Sequence, residues 1–521
     1  MNDTQLLNRY LPHKSAQRHA NTLVVRVDAH ELKDVFAALA RTLPFMTMFA
    51  TDEGGTFCMQ YVFGLPGEGE PREPLFVVVT LAVSGTTFPS LAREFPVTAL
   101  YERSIMSMFG LTADGHPDPR TLILHEENWP VGTHPMRKDF KWNTPVPSTK
   151  SGEYRFNEVG GEGIYEIPVG PVHAGIIEPG HFRFSVAGEE IVMLEARFGW
   201  VHKGVEKLFE NLSPKQHVRL AEHISGDSSF SHSLAYCEAL ETLTETSVPE
   251  RARYLRLIFA ELERITMHIF DIGNIGGNGT GFTFMAAQGF RMVEELRRLA
   301  ETLSGSRFLR GINVPGGVTK DIGAETAAMV RKHLSSLAKD FSEVMRVADA
   351  SASLAGRLQG TGQLSHKIAR ENGVVGIAAR SCDIQKDARI EYPYAAYAEI
   401  RPVIALESAG DVEARFKVRA KEVLDSMRLI EEALKHLPEG PLAATLRSIP
   451  EQSMALSAIE GSRGEIICAI CSKDGVISRV AVRDPSFIHW QLFPHLVTSD
   501  MVPDFPLINK SLNLSYSGND L

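Results

Sequence analysis

Five long segments in the second half of this chain have apolar residues at every third or fourth position. This spacing is typical of amphipathic α-helices, and few turn residues interrupt the segments. The predicted helices cover roughly 214–246, 249–273, 284–304, 322–356 and 411–436. Helices of this number and length predict a helix bundle as the core of this part of the chain.

Strand patterns lie on both sides of the predicted bundle. Segments 164–172 and 181–197 read as strands paired across a loop. Near the other end, EIICAIC and VISRVAV flank a Lys473-Asp474-Gly475 turn, which predicts a β-hairpin. Cys468 and Cys471 fall within the first of these strands, so we expect their side chains on opposite faces and in core packing rather than on one metal.

The first 110 residues alternate between strand and helix patterns. NTLVVRV and PLFVVVTLAV are rich in β-branched residues, and ELKDVFAALARTL between them has helical spacing. A later helix, TALYERSIMSMFG, ends at Gly110, a residue type common just after helices. These patterns predict a compact α+β domain over 1–110, an extended linker over 111–161 and a second domain over 162–521.

Composition excludes several classes of protein. A formal charge of -10 over 521 residues argues against a nucleic-acid-binding protein, which would show a clustered basic face. No apolar run is long enough to span a bilayer, and no signal-peptide pattern is visible at the start. Five irregularly spaced cysteines suit a reducing compartment rather than a disulfide framework. Any association with a membrane is therefore expected through partner subunits.

The first domain carries FPVTALYERSIMSMFGL, then GHPDPRTLIL, then HPMRKDF. In this order the motifs resemble the small hydrophilic subunit of respiratory complex I, which braces the quinone-site subunit. We interpret the charged residues of these motifs as groups that lock the fold and the interface: Arg103, Asp118, Arg120 and Arg137.

The second domain carries GPVHAGIIEPGHFRF, HKGVEK, LIFAELERITMH and NVPGGV. These motifs resemble the large subunit shared by complex I and the membrane-bound [NiFe] hydrogenases. Fusion of both modules in one chain resembles the formate-hydrogenlyase-type hydrogenases. The resemblance implies an α+β small-subunit-like domain followed by a hydrogenase-like helix bundle with β-hairpins.

Four positions depart from the hydrogenase pattern, in which a CxxC and a DPCxxC supply four thiolates. Here SGDS and DPSFIH place Ser225, Ser228, Ser486 and His489 at these positions. Nickel and iron in such a site need soft, deprotonated sulfur, which hydroxyls and an imidazole do not provide. We therefore expect degenerate ligand positions that line a cavity or simply pack, no metal and no bound cofactor within this chain, and no nickel-dependent maturation of its C-terminal segment.

Three residues are candidates for proton transfer, namely Asp227, His173 and Glu178. Glu178 follows His173 on a loop where hydrogenase relatives place a proton-carrying glutamate, and we favour this role over that of a surface acid that caps the loop. Asp227 lies between two of the altered positions and is either functional or a helix N-cap. His232 matches a motif histidine, and we favour a structural role for it.

The resemblance implies a peripheral-arm subunit of a membrane-bound complex, at the cytoplasmic face of the inner membrane. Its expected partners are a small subunit with a [4Fe–4S] cluster and membrane-embedded ion-translocating subunits. In the preferred hypothesis electrons pass from that cluster to quinone or another acceptor, with Asp227, His173 and Glu178 handling protons. The alternatives are a cofactor-free coupling subunit and a hydrogenase with unusual ligands.

Overall fold

The computed structural model describes residues 3–67, 75–173 and 177–521. Among these residues no helix has the length and apolar character that crossing a membrane requires.

A five-stranded sheet forms the centre of the first domain, in the order β1-β2-β5-β4-β3. Strands β2 and β5 are parallel, and the other neighbours are antiparallel. Its strands are β1 Gln17–His19, β2 Thr22–Val27, β3 Phe45–Asp52, β4 Phe57–Leu65 and β5 Leu75–Val83. The other elements are α1 Asp3–Asn8, α2 Leu32–Ala40, α3 Ala99–Phe109 and the parallel pair β6 Thr87–Pro89 and β7 Thr112–Asp114.

The end of α3 is fixed by Gly110. Its backbone adopts the left-handed conformation, with φ 65°, and its N–H donates to the Met106 carbonyl. A Cβ at this position would lie 2.3 Å from the His134 ring, so the close approach of the linker also requires glycine.

The segment between β7 and the next strand at Ile164 contains no helix or strand, whereas β7 itself lies within the predicted linker. It is nevertheless bound to both domains. Arg103 of the first domain pairs with Asp118 at 3.3 Å, and Arg120 pairs with Glu195 of the second domain at 2.6 Å. Arg197, also of the second domain, donates to Glu127. The linker is therefore a tightly held surface segment rather than a free tether.

The second domain combines three small sheets with a helical core. Its strands are β8 Ile164–Val169, β9 His181–Ala187, β10 Glu190–Arg197, β11 Asn313–Val314, β12 Gly317–Val318, β13 Gln452–Glu460, β14 Glu465–Lys473 and β15 Val476–Arg483. Its longer helices are α4 Val205–Asn211, α5 Pro214–Ala221, α6 Ser229–Leu243, α7 Glu250–Gly273, α8 Thr283–Ser304, α9 Ala324–Asp349, α10 Ala352–Leu358 and α14 Val412–Lys435. Shorter helices are α11 His366–Glu371, α12 Gly376–Arg380, α13 Ala388–Glu391, α15 Pro485–His489, α16 Phe493–Val497, α17 Phe505–Leu512 and α18 Tyr516–Asp520. The predicted α+β class, with a small-subunit-like domain and a helix-rich second domain with β-hairpins, is confirmed.

Three predicted segments need correction. The helix predicted over 214–246 is interrupted between α5 and α6, where the Ser229 hydroxyl lies within hydrogen-bond distance of the carbonyls of Glu222 and Gly226. The helix predicted over 322–356 divides at Ser351, whose side chain caps α10. The hairpin of β14 and β15 has a third strand, β13, which we did not predict.

The two cysteines of the CxxC pattern pack in different places, as predicted. Cys468 belongs to the main core of the second domain, and Cys471 belongs to the apolar cluster between the two domains. At the same contact, the Asn21 side chain donates to the Leu456 carbonyl and accepts from the Leu456 N–H, which fixes β13 beside the first domain.

A buried network of charged side chains joins α7 and α14 to neighbouring segments. Arg380 lies 2.7 Å from the Glu422 carboxylate and 2.8 Å from that of Glu460. Glu261 pairs with Arg264 at 3.2 Å and with Arg389 at 3.1 Å. Removing one member of such a network leaves an uncompensated buried charge, which is strongly destabilising.

We expect Arg380→Met to lower the free energy of unfolding by about 3 to 5 kcal/mol, because two buried carboxylates lose their cation. Urea unfolding of the purified full-length chain measures this. Arg428→Met is the control, because Arg428 is 43% exposed and pairs with neighbours on its own helix; its cost should stay below about 1 kcal/mol. If both variants lowered the free energy of unfolding by the same amount, the network would not be important for stability.

Candidate functional site

The four altered ligand positions come together between two elements. Ser225 lies in the break between α5 and α6, and Ser228 is the N-cap residue of α6. Ser486 and His489 lie on α15, directly after β15. All four are buried, and hydrogen bonds through Ser515 join Ser225 to Ser486. The structure therefore brings the predicted positions together, and their role stays a prediction.

An arginine from a distant hairpin points into this site. Arg463, between β13 and β14, donates to both carboxylate oxygens of Asp227, at 3.0 and 2.5 Å. It also donates to the Ser228 hydroxyl at 3.3 Å and to the Asn513 carbonyl. The planar guanidinium matches a carboxylate in two parallel hydrogen bonds, which are among the stronger ones in proteins. Arg463 is therefore the organising cation of the site.

The C-terminal segment closes the site from another side. The Ser515 and Ser225 hydroxyls are 2.9 Å apart, and the Ser515 N–H donates to the Ser486 hydroxyl at 2.9 Å. A Cβ on Gly518 would lie 2.6 Å from the Asp484 carboxylate, so α18 packs against the start of α15 without space between them. Side chains and backbone of this chain thus connect the altered positions directly.

The two histidines beside the site have structural partners. The buried Nε2 of His489 accepts from the Val375 N–H at 3.3 Å, and burial together with the charge of Arg483 lowers its pKa to about 3. His232 lies 3.0 Å from Asp484. Burial opposes ionisation of Asp484, but the hydrogen bond and charge of His232 outweigh it and lower the pKa to about 2.

Asp227 is not a helix N-cap, because α6 has Ser228 at that position and Asp227 is paired with Arg463. Its side chain is 34% exposed. Burial alone would raise its pKa, but the charge of Arg463 and its hydrogen bonds outweigh this and hold the pKa of Asp227 below its ordinary value. At neutral pH this group is a carboxylate and a hydrogen-bond acceptor.

Glu178 and His173 lie on the loop between β8 and β9, of which residues 174–176 are outside the described part. The Glu178 carboxylate accepts from the Ser517 N–H at 2.9 Å and from the Ser517 hydroxyl. Glu178 therefore contacts the segment that closes the site, whereas the structure gives no contact between His173 and Asp227. The proton-transfer roles of these three residues stay predictions.

Two further residues contact the site. Lys203, in the HKGVEK motif, donates to the carbonyls of His223 and Ile224, directly before Ser225. Glu263 of α7 accepts from the Phe230 and Ser231 N–H groups at 2.7 and 3.0 Å, and so caps the N-terminus of α6. The contact of Glu263 was missed in the sequence, because an acid on a helix predicted as amphipathic does not by itself indicate such a contact.

The donor set does not fit a nickel–iron centre. Three hydroxyls and a neutral imidazole are poor ligands for such metals, and the adjacent Arg463 guanidinium would repel a cation. Within residues 3–67, 75–173 and 177–521 no group of three or more histidine, cysteine, aspartate or glutamate side chains could hold a metal ion.

The fold and the site define a fused subunit of the respiratory NADH dehydrogenase type. The family described as "Respiratory-chain NADH dehydrogenase, 30 Kd subunit" matches residues 25–146. The family described as "Respiratory-chain NADH dehydrogenase, 49 Kd subunit" matches residues 279–454 and 447–520.

More particularly, the chain belongs to the family that contains hydrogenase-4 component G and formate hydrogenlyase subunit 5. It is 33% identical to hydrogenase-4 component G of Escherichia coli (strain K12), over 91% of this chain and 83% of that protein. It is 31% identical to formate hydrogenlyase subunit 5 of the same organism, over 91% and 84%. The predicted resemblance is confirmed.

Two other similarities connect the chain to respiratory complexes. An NADH-quinone oxidoreductase subunit of Phocaeicola vulgatus is 30% identical, over 72% of this chain and 76% of that protein. A chain in the structure of the membrane-bound sulfane sulfur reductase, described as an archaeal respiratory membrane complex, superposes with a TM-score of 0.65. It is 26% identical and covers 69% of this chain and 99% of its own length.

Glu263 predicts a pH dependence of stability. Burial raises its pKa from 4.5 to about 7. Between these values the folded chain retains a proton that the unfolded chain has lost, so the free energy of unfolding falls as the pH rises through this window. We expect Glu263→Gln to remove up to about 3 kcal/mol of this fall.

Urea unfolding at several pH values between about 4.5 and 8 measures the effect. Glu301→Gln, at an acid that is 56% exposed on α8, controls for the loss of one charge. Identical pH profiles for the wild type and Glu263→Gln would show that Glu263 does not titrate in this window.

Proposed function

We propose that this chain is a peripheral-arm subunit of a membrane-bound complex I-like assembly and that it couples its partners without holding a nickel–iron centre. Its neighbours would be a small subunit with a [4Fe–4S] cluster and membrane-embedded ion-translocating subunits. The location would be the cytoplasmic face of the inner membrane, through those partners. The relatives that are named as hydrogenase and NADH-quinone oxidoreductase subunits support this placement.

The observation that carries the proposal is the ion pair of Arg463 and Asp227. It lies beside the positions where relatives of the hydrogenase type would need thiolates, and the hydroxyls of Ser225 and Ser228 bond to it directly. An arginine cannot lose its proton in a protein and does not bind metal ions. A site organised in this way serves as a fixed structural joint rather than as a redox centre.

The joint is connected to the helical core. Arg463 donates to the Asn513 carbonyl, and the Asn513 side chain donates to Asp271 of α7 at 2.6 Å. Asp271 in turn pairs with Arg419 of α14 at 2.9 Å. A displacement at Asp227 would therefore move groups on two long helices of the core, which is the mechanical requirement for a coupling subunit.

We expect Asp227→Asn to uncouple the complex. The amide keeps the size of the side chain but removes its charge, so Arg463 loses its counter-ion. In sealed vesicles that contain the purified complex, ion uptake per electron should fall while electron flow from reduced clusters to an added quinone is unchanged. A pH-sensitive dye and a sodium-selective probe report uptake, and the quinone absorbance reports electron flow.

Glu343→Gln is the control, because Glu343 is 63% exposed and pairs with Arg346 of its own helix. A parallel fall of electron flow and ion uptake in Asp227→Asn would contradict the coupling role. Nickel in the purified complex, in amounts equal to this chain, would contradict it too and would support the hydrogenase alternative.

Electron transfer to an acceptor is the second candidate function. A cavity of about 350 Å³ lies beside α15, between the linker and β10, and is lined by Phe487, Trp490 and Asp520 among others. Its volume suits a small organic molecule. Burial raises the pKa of Asp520 to about 6, which is close enough to neutrality for proton exchange. Here Asp227, His173 and Glu178 would be the further proton carriers.

Electron paramagnetic resonance on the purified complex separates this candidate from the first. With the iron–sulfur clusters reduced beforehand, added quinone should reoxidise them rapidly if an acceptor site exists, and Asp227→Asn or His173→Ala should slow this step. Reoxidation at wild-type rate in both variants would remove these residues from the electron and proton path. No reoxidation in a complex with intact clusters would contradict the quinone site itself.

A further inference from the structure

Two arginines enclose an exposed aromatic ring near the site. Phe308, in the loop after α8, is 42% exposed. The guanidinium carbon of Arg297 lies 5.3 Å from the centre of its ring, and that of Arg310 lies 5.7 Å from it. Arg310 also donates to the Ser229 hydroxyl at the start of α6. These cation–π contacts hold both guanidiniums at the surface in a fixed arrangement.

The charge of these arginines is not neutralised locally. Neighbouring Arg298 and Arg307 both pair with Glu294, at 2.9 and 2.5 Å. Within the described part of the chain no carboxylate reaches ion-pairing distance of Arg297 or Arg310. The Arg297 Nε is buried and lacks a hydrogen-bond partner among the described residues. Burial and the charge of Arg307 lower the pKa of Arg297, while the charges of Glu294 and Asp227 act in the opposite direction.

A third cation extends the surface. Arg219, on α5, is exposed and also lacks an ion-pair partner among the described residues. Arg219 and Arg310 both act on Glu222, a buried acid whose pKa is raised by burial and whose carboxylate accepts from the Gly311 N–H. Arg219, Arg297, Phe308 and Arg310, here called the arginine surface, therefore carry three positive charges over one buried acid.

We propose that the arginine surface is the docking site for an acidic segment of a partner subunit. Arginine and aromatic residues are enriched at protein interfaces, and arginine binds carboxylates in two parallel hydrogen bonds. Gly226, at the altered site, is exposed, and a Cβ there would lie 3.5 Å from Arg310. A partner bound here would thus contact the joint directly. This inference rests on the proposed function, because it assumes a complex of several subunits.

A protein partner fits this surface better than an anionic membrane. Lipid-binding clusters usually contain four or more basic residues that face the headgroups together. The arginine surface has only three basic residues, Arg219, Arg297 and Arg310, fewer than such a cluster. The exposed Phe308 ring, held between two guanidiniums, suits an apolar contact surrounded by carboxylates.

The decisive experiment uses the affinity-purified membrane complex and quantifies its subunits by mass spectrometry. We expect Arg297→Glu with Arg310→Glu to lower the amount of one partner subunit by about tenfold or more at low salt. The wild-type complex should lose the same subunit as the salt concentration rises from about 50 to 500 mM. The double variant Arg297→Lys with Arg310→Lys keeps both positive charges and should retain this partner subunit. Arg346→Glu, at an arginine that is 70% exposed on α9, is the matched control.

A photo-crosslinking amino acid in place of Phe308 identifies the segment that docks. A crosslinked peptide rich in aspartate or glutamate is the expected result. The inference is overturned if the crosslinked peptide is not acidic, if the glutamate double variant retains every subunit, or if the chain binds phosphatidylglycerol vesicles through these arginines instead. If the wild-type chain purifies without partners, the proposed function fails as well. Thermal unfolding of each variant excludes misfolding as the cause of a lost subunit.

Discussion

The structure depends on a helix that is both buried and charged. Twenty of the 24 residues of α7 are buried, among them acids and bases that cannot remain unpaired in an apolar interior. Their partners lie on different elements: Arg256 pairs with α6, Glu261 with α13, and Asp271 with α14. The surrounding elements are therefore positioned by charge pairing as well as by apolar packing, and this fixes their register around α7.

The sequence predicts much of the fold because the apolar spacing of long helices is a local signal. The bounds of α7, α8 and α14 agree with the prediction within about two residues. The break between α5 and α6 is different in kind. At this break the Ser229 hydroxyl bonds to two carbonyls. A single polar side chain within an apolar pattern does not predict the end of a helix. The polar side of α7 was equally hidden, since its partners come from distant segments.

The sequence indicated which positions lie at the candidate site, but not which residues hold them together. Motif resemblance places Ser225 and Ser486 together, and the structure agrees. Arg463 could not be found in this way, because it is 236 residues from Asp227 and lies in a hairpin whose first strand was not predicted. The resemblance points to positions where thiolates would be expected, whereas the Arg463–Asp227 pair is a long-range contact that only the folded chain reveals.

The contacts that α18 and Arg463 make in the site also determine whether cysteines at the four altered positions could bind a metal. Four cysteines introduced at the altered positions would still lie beside the Arg463 guanidinium. Gly518 would still pack closely against the Asp484 carboxylate. A metal could enter only if the hairpin and the C-terminal segment both changed their paths. Point substitutions at the four positions alone would therefore not make room for a metal ion.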